Sequence, residues 1–154
     1  MRPRSRAFDY KTLDTLTVDG ILDSLKSIRD FVVQAAEKAG LDKRAIYRLN
    51  LAVDEIATNI ILHGYQEANL EGTVVVSAIE EKGSLRILLE DTGLEYNPPG
   101  FINSDDLNQP LDQRSEGGLG VYLAQQNVDR FSYERIGERN IHTFIVNLSD
   151  GSEY

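Results

Sequence analysis

Apolar residues along the chain recur at two spacings, and the switches between them mark out the elements. After Asp19, the residues Ile21, Leu25, Ile28, Val32, Ala35 and Ala39 fall three and four apart, which is one face of a helix. Asp19 is placed to cap its start, and Gly40 to end it in a left-handed conformation. Asp42 then caps a second, longer helix that the pattern ends at Gly64. With Leu49 at zero and about 100° per residue, Ile46, Ala52, Val53, Ile56 and Ile60 gather in one stripe. Elsewhere the pattern alternates. Residues Phe8 to Thr17 have the content of one or two short strands. Two strands are expected near Thr73–Glu80 and Leu85–Asp91, joined by the turn Glu81-Lys82-Gly83-Ser84. Two more, Phe131–Ile136 and Ile141–Leu148, flank Gly137-Glu138-Arg139-Asn140, a hairpin signal. Between the pairs, Asn97 to Glu116 is polar, holds three prolines and shows no periodicity, and Gly117 to Asp129 reads as a short helix opened by glycines. The hairpins imply antiparallel pairing with the helices on one face. The fold class expected is α+β: a two-layer α/β sandwich whose mixed, mostly antiparallel sheet is covered on one face by helices.

A chain of 154 residues has room for one domain, taken as residues 1–154 with a core of about 8–148. At this size roughly 68–70% of the surface of the unfolded chain is buried, so a core forms without staples. There is no cysteine, which excludes disulfides and thiolate metal sites and fits a reducing cytoplasm. The longest apolar run is four residues, Val121 to Ala124; neither a signal peptide nor a membrane span is expected. Sixteen Lys and Arg against twenty-five Asp and Glu give a net charge of −9. That argues against general nucleic-acid binding, which needs a positive footprint. It leaves room for a basic protein partner, though an acidic balance is also ordinary for a cytoplasmic protein.

Three segments carry candidate chemistry. On the second helix, Glu55, Asn59 and His63 follow one another at i+4 steps along one edge of the apolar stripe. Polar groups at the edge of a buried face are costly unless they meet partners, and such a line could bind a cation, orient water or serve as a base. A helix edge bordering solvent, with His63 favoured by the C-terminal dipole, accounts for the same residues. The second segment, Asp91-Thr92-Gly93-Leu94-Glu95-Tyr96-Asn97-Pro98, follows a strand. An aspartate at a strand end can accept a hydrogen bond from an exocyclic amine, and Gly93 lets backbone approach a flat ring. A plain turn uses the same residue types. The third, Gly117-Gly118-Leu119-Gly120, opens a helix, where unpaired N–H groups and the dipole favour an anion. It lacks the Lys-Ser or Lys-Thr of a Walker A loop and the spacing of a Rossmann fingerprint; close helix packing is its other reading.

The three in this order resemble a known family. VDEIATNIILHGY resembles the N box of the GHKL (Bergerat-fold) ATPases, DTGLEYNP their first glycine box, and EGGLGVYL their second. NVDRFSYERIGERNIHTFIVNL is similar to the closing helix end and hairpin of the anti-sigma-factor serine/threonine kinases, and His-Gly-Tyr at the end of the N box points to that branch rather than to histidine kinases. The resemblance covers nearly the whole chain, most firmly residues 42–148. It implies that Glu55 is the general base and that Asn59 binds ATP through Mg²⁺. It implies that Asp91 binds the adenine amino group and that Gly93 makes room for the ring. Gly118 and Gly120 then offer N–H groups to the phosphates, with Leu119 between them in the ATP site, and residues 97–116 form a lid. Asn97 stands where the family commonly has aspartate, with its bulk unchanged. Thr143 takes the place of the family's final polar contact to the nucleotide. The implied function is phosphorylation of an anti-sigma antagonist and sequestration of a sigma factor. The family also suggests a homodimer. The alternative is a nucleotide-gated binding switch that exchanges partners without phosphorylating them. A histidine kinase would need a dimerisation helix bearing the phospho-accepting histidine, and a gyrase- or chaperone-type ATPase a transducer domain.

Overall fold

A computed structural model of the chain describes residues 10–95 and 116–148, with side chains for 14–95 and 121–148. The expected lid lies outside the described residues but for Glu116. The elements run as β1 (Tyr10–Asp19), a 3₁₀ turn (Leu22–Ser24), α1 (Leu25–Ala39), α2 (Lys43–Asn59), a π-helical segment (Ile60–Gln66), β2 (Thr73–Glu81), β3 (Ser84–Asp91), α3 (Glu116–Asn127), β4 (Arg130–Ile136) and β5 (Arg139–Asn147). The strands form one sheet in the order β1-β2-β3-β5-β4. Every pairing among them is antiparallel, so the sheet has no parallel component among the described residues.

Strand alternation sets the layers. Val74, Val76 and Ala78 of β2, Leu85, Ile87 and Leu89 of β3, and Phe144 and Val146 of β5 are buried on one face. Ile28, Val32, Ala35 and Ala36 of α1 and Leu49, Ala52, Val53, Ile56 and Ala57 of α2 cover that face in the same cluster. The stripe read from α2 is thus the one that packs. Asp42 caps α2 by accepting from the Ala45 N–H at 2.8 Å, and Gly40 ends α1 at φ 89°.

Two element ends differ from the periodicity. Asp19 is not a cap: it ends β1, and its carbonyl accepts from the Ile21 N–H. The first helix therefore starts later, after a 3₁₀ turn whose N-terminal residue has no side-chain cap. The second helix does not stop at Gly64 but widens into a π turn through Gln66. Tyr65 explains why that turn is held. Its ring is 2% exposed and lies between two glycines; a Cβ on Gly20 would come within 2.5 Å of the ring and one on Gly72 within 2.7 Å. Its hydroxyl donates to the Thr73 carbonyl at 2.7 Å and accepts from the Thr92 N–H at 2.9 Å. One phenol thereby ties the π turn to the start of β2 and to the loop leaving β3.

Tyr65→Phe keeps the packing but leaves a carbonyl and an amide without their partner. It should destabilise the fold by about 1–3 kcal/mol, read as a lowered urea midpoint with an unchanged slope. An unchanged midpoint would show that the phenol does not hold these segments.

Candidate functional site

Beyond the C-terminal end of β3 a cleft of about 430 Å³, open to solvent, lies between the helices and the sheet. Ile56 and Asn59 line it from α2, and Ile60 and Gly64 from the π segment. Asp91 and Leu94 come from the end of β3, Val121 from α3, Phe131 and Tyr133 from β4, and Asn140 and His142 from β5. Most of these walls are apolar, and among the polar lining residues Asn140 meets Asp91 directly.

Asp91 is 4% exposed. Its Oδ1 accepts from the Gly93 N–H at 2.9 Å and from Asn140 Nδ2 at 2.9 Å. Its Oδ2 is buried and has no hydrogen-bond partner among the described residues. Burial pushes the carboxyl above its ordinary value, while Asn140, the Gly93 amide and Arg135 each pull it back. A buried acceptor left open is costly, so its natural complement is an N–H donor on a flat, largely apolar ligand.

Gly93 has a further duty beside the one expected of it. A Cβ there would lie 2.7 Å from the Gly64 carbonyl oxygen and 2.9 Å from its carbon. The absent side chain admits the backbone of the π turn, and the Leu94 N–H completes the contact on the Gly64 carbonyl at 2.8 Å.

The other expected residues fall as follows. Asn59 lines the cleft. Glu55 is half-buried one turn earlier on α2 and is not among the cleft-lining residues. His63 lies in the π segment and is not among the cleft-lining residues; its Nδ1 pairs with Glu67 Oε1 at 2.7 Å. Gly118, Leu119 and Gly120 lie in the opening of α3; their side-chain surroundings fall outside the description. Thr143 is a correction. It pairs with Ser132 and Leu88, and alternation puts it on the sheet face opposite Asn140 and His142, so it cannot reach the cleft. Asn140 is the polar residue that β5 supplies instead. The hairpin signal placed Asn140 in the turn, but pairing closes at Ile136 and Arg139. The turn is Gly137-Glu138, with Gly137 at φ 62°. A two-residue turn of that kind is the commonest hairpin connection, and that rule was the signal available.

His142 also escaped the sequence reading. Its ring lies 4.7 Å from that of Tyr133, and its Nδ1 is buried without a partner. Burial pushes the imidazole down to about 4, so it is neutral near pH 7.

Two outcomes follow. Gly93→Ala should cost about 1–3 kcal/mol, because the neighbour that must yield is backbone; a thermal midpoint equal to that of the wild type would contradict the close approach. For His142, the ring is neutral in both states above its ordinary value of 6.5 and contributes no pH dependence there. As pH falls from 6.5 to about 4, the unfolded chain takes up a proton that the folded chain refuses. Stability is lost over that window by up to roughly 3 kcal/mol, whereas Asp91, with its raised value, works in the opposite direction. His142→Phe should therefore lose less stability than the wild type between pH 7 and pH 4.5; parallel denaturation curves for the two would refute the assignment.

Comparison with known proteins places this geometry. The family described as the histidine kinase-like ATPase domain matches residues 21–146. The serine-protein kinase RsbW of Bacillus cereus is 30% identical over 105 residues, 66% of this chain and 64% of that protein. An anti-sigma F factor of Bacillus thuringiensis is 32% identical over 104 residues, 64% of this chain and 67% of that protein. The chain thus spans under two thirds of the length of the Bacillus cereus relative. A solved structure of the RsbU and RsbW domains of a Mycobacterium tuberculosis protein superposes with a TM-score of 0.61 at 18% identity, over 89% of this chain and 33% of that one; it shares the fold. With the cleft at the sheet's end, the glycine-opened helix and a match over most of its length, the chain belongs to the histidine kinase-like ATPase domain family.

Proposed function

We propose that the chain is an ATP-dependent serine/threonine protein kinase acting as an anti-sigma factor: it phosphorylates an anti-sigma antagonist and sequesters a sigma factor. The observation that carries the reading is the unpartnered Oδ2 of Asp91 at the floor of a largely apolar cleft. It suits an adenine amino group, with Ile56, Ile60 and Leu94 beside the ring. The relatives named as a serine-protein kinase and an anti-sigma factor support the choice of activity and partners. Among the described residues no helix is long and apolar enough to cross a membrane, and a cytoplasmic setting fits an enzyme that draws on ATP.

The roles order themselves along α2. Gly64 borders Asp91, Asn59 lines the cleft further from it, and Glu55 lies one turn beyond, about 6 Å along the axis. The amide oxygen of Asn59 is the donor type that Mg²⁺ takes, with the remaining oxygens from phosphates and water. When bound, the ion neutralises phosphate charge. The N–H groups at the opening of α3, around Gly118, Leu119 and Gly120, are the amides placed for the phosphates. Glu55 takes the proton of the incoming serine hydroxyl as its oxygen bonds to the γ-phosphorus. The bond from that phosphorus to the bridging oxygen breaks, and ADP leaves. In phosphoryl transfer such positioning and charge neutralisation carry most of the catalysis.

Incubation with labelled ATP, Mg²⁺ and an antagonist protein separates the roles. Asp91→Ala should lose nucleotide binding while staying folded. Asn59→Ala should weaken Mg²⁺-dependent binding and stop transfer. Glu55→Gln should bind ATP and partner but transfer about 10²–10⁴ times more slowly. Equal rates for Glu55→Gln and wild type would remove Glu55 as the base. A wild type that binds ATP and antagonist without ever phosphorylating it would replace the kinase with a nucleotide-gated switch.

A further inference from the structure

Asn140 is a side chain with every hydrogen-bonding position used. It is 2% exposed. Its Nδ2 donates to Asp91 Oδ1 at 2.9 Å and to the Gly93 carbonyl at 3.1 Å. Its Oδ1 accepts from the Tyr133 hydroxyl at 2.7 Å and from Arg135 Nη1 at 2.7 Å. Two donors on one side and two acceptors on the other fix which way the amide faces; the flipped orientation would set like against like at all four contacts. The amide cannot turn toward a ligand, nor can Asp91 Oδ1, which is already held by Asn140 and by the Gly93 N–H. Only Oδ2 remains open.

We infer that Asn140 is a positioning residue. Gripped from the β4 side by Tyr133 and Arg135, it locks Asp91 so that the carboxylate meets the base through one acceptor oxygen and nothing else. This rests on the nucleotide reading above and adds its selectivity. A single fixed acceptor accepts from an exocyclic amine. A base carrying a carbonyl at that point would set oxygen against oxygen, with no rotation available to relieve it. The clamp therefore selects an amino-purine over its oxo counterpart, and a loosened Asp91 would select less. Tyr133 and Arg135 stand on β4 and are half-buried, so the grip reaches from the surface of the terminal hairpin to the floor of the cleft.

The test compares Kd for ATP and ITP in wild type and in two variants, at pH 8 and pH 6, with a thermal melt of each. Wild type should prefer ATP at both values. Asn140→Asp keeps the contacts to Tyr133 and Arg135 but sets a carboxylate oxygen against Asp91 Oδ1 and the Gly93 carbonyl. Its ATP affinity should fall about a hundredfold or more at pH 8 and recover substantially at pH 6, where one shared proton rebuilds the lost hydrogen bond. A purely structural lesion would show no such recovery beyond that of the wild type. Arg135→Met removes one of the two donors gripping the amide from a position that does not line the cleft. It should weaken ATP about three- to tenfold and ITP less, so that the preference narrows. It also serves where Asn140→Asp does not fold. A wild type that binds neither nucleotide overturns the nucleotide reading and the clamp with it. A wild type that binds ATP, beside an Asn140→Asp whose affinity is unchanged or falls equally at both pH values, overturns the clamp alone. So does an Arg135→Met with an unaltered ATP-to-ITP ratio.

Discussion

A carboxylate taken out of water at the end of the central strand is the constraint around which the site is arranged. Burial alone would neutralise Asp91 or expel it. It is kept in place by hydrogen bonds from the Gly93 amide and from Asn140 and by the charge of Arg135 nearby. Those partners come from the loop after β3 and from β5 and β4, and the first two need support of their own. Gly93 must pass against the Gly64 backbone, and Asn140 must be gripped by Tyr133 and Arg135. The cluster is thus nearly satisfied, with one oxygen left open. In a low-dielectric setting that imbalance is expensive unless a ligand completes it, which couples binding to stability at the same atom.

The π turn is the second device, and it follows from the first. An α-helical continuation of α2 would carry Gly64 and Tyr65 on at the ordinary phase. Widening the helix lets the Gly64 carbonyl face the loop after β3, where it accepts from Leu94. It also points the Tyr65 phenol at both Thr73 and Thr92. Extra-wide turns of this kind recur at functional sites because they re-aim a few groups without ending the helix. Here the re-aimed groups all touch the segment that carries Asp91.

How much of this was legible in the sequence depends on what set each feature. The apolar stripes of α1 and α2, the Asp42 cap, the Gly40 stop and the alternation of β2, β3 and β5 are local patterns, and they hold in the structure. Asp91 and Gly93 could be singled out because the residue types at a strand end carry the chemistry. The π turn left no local mark, because it is imposed by contacts from Gly20, Gly72 and Thr92, distant in sequence. Asp19 looked like a cap because nothing local says whether an aspartate ends a strand or starts a helix. Thr143 came from the family resemblance, which carries residue type and not strand parity, and Asn140 was read as part of the turn before β5. A strand's parity decides which residues share a face, and here the register and the cleft lining put Asn140 and His142, not Thr143, on the side of the cleft.

Arg48 adds a mechanical link between α2 and α3. Its Nη2 donates to the Gln126 carbonyl at 2.7 Å and its Nε to Asn127 Oδ1 at 3.3 Å, so a cation on α2 sits at the C-terminal end of α3, where the helix dipole favours it. Val121 and Ala124 bury the same helix in the core. The C-terminal part of α3 is therefore anchored against α2. Asn59 and Glu55 stand on the same α2 that Arg48 ties to α3, so their distance from the Asp91 end of the cleft is set by α2 itself.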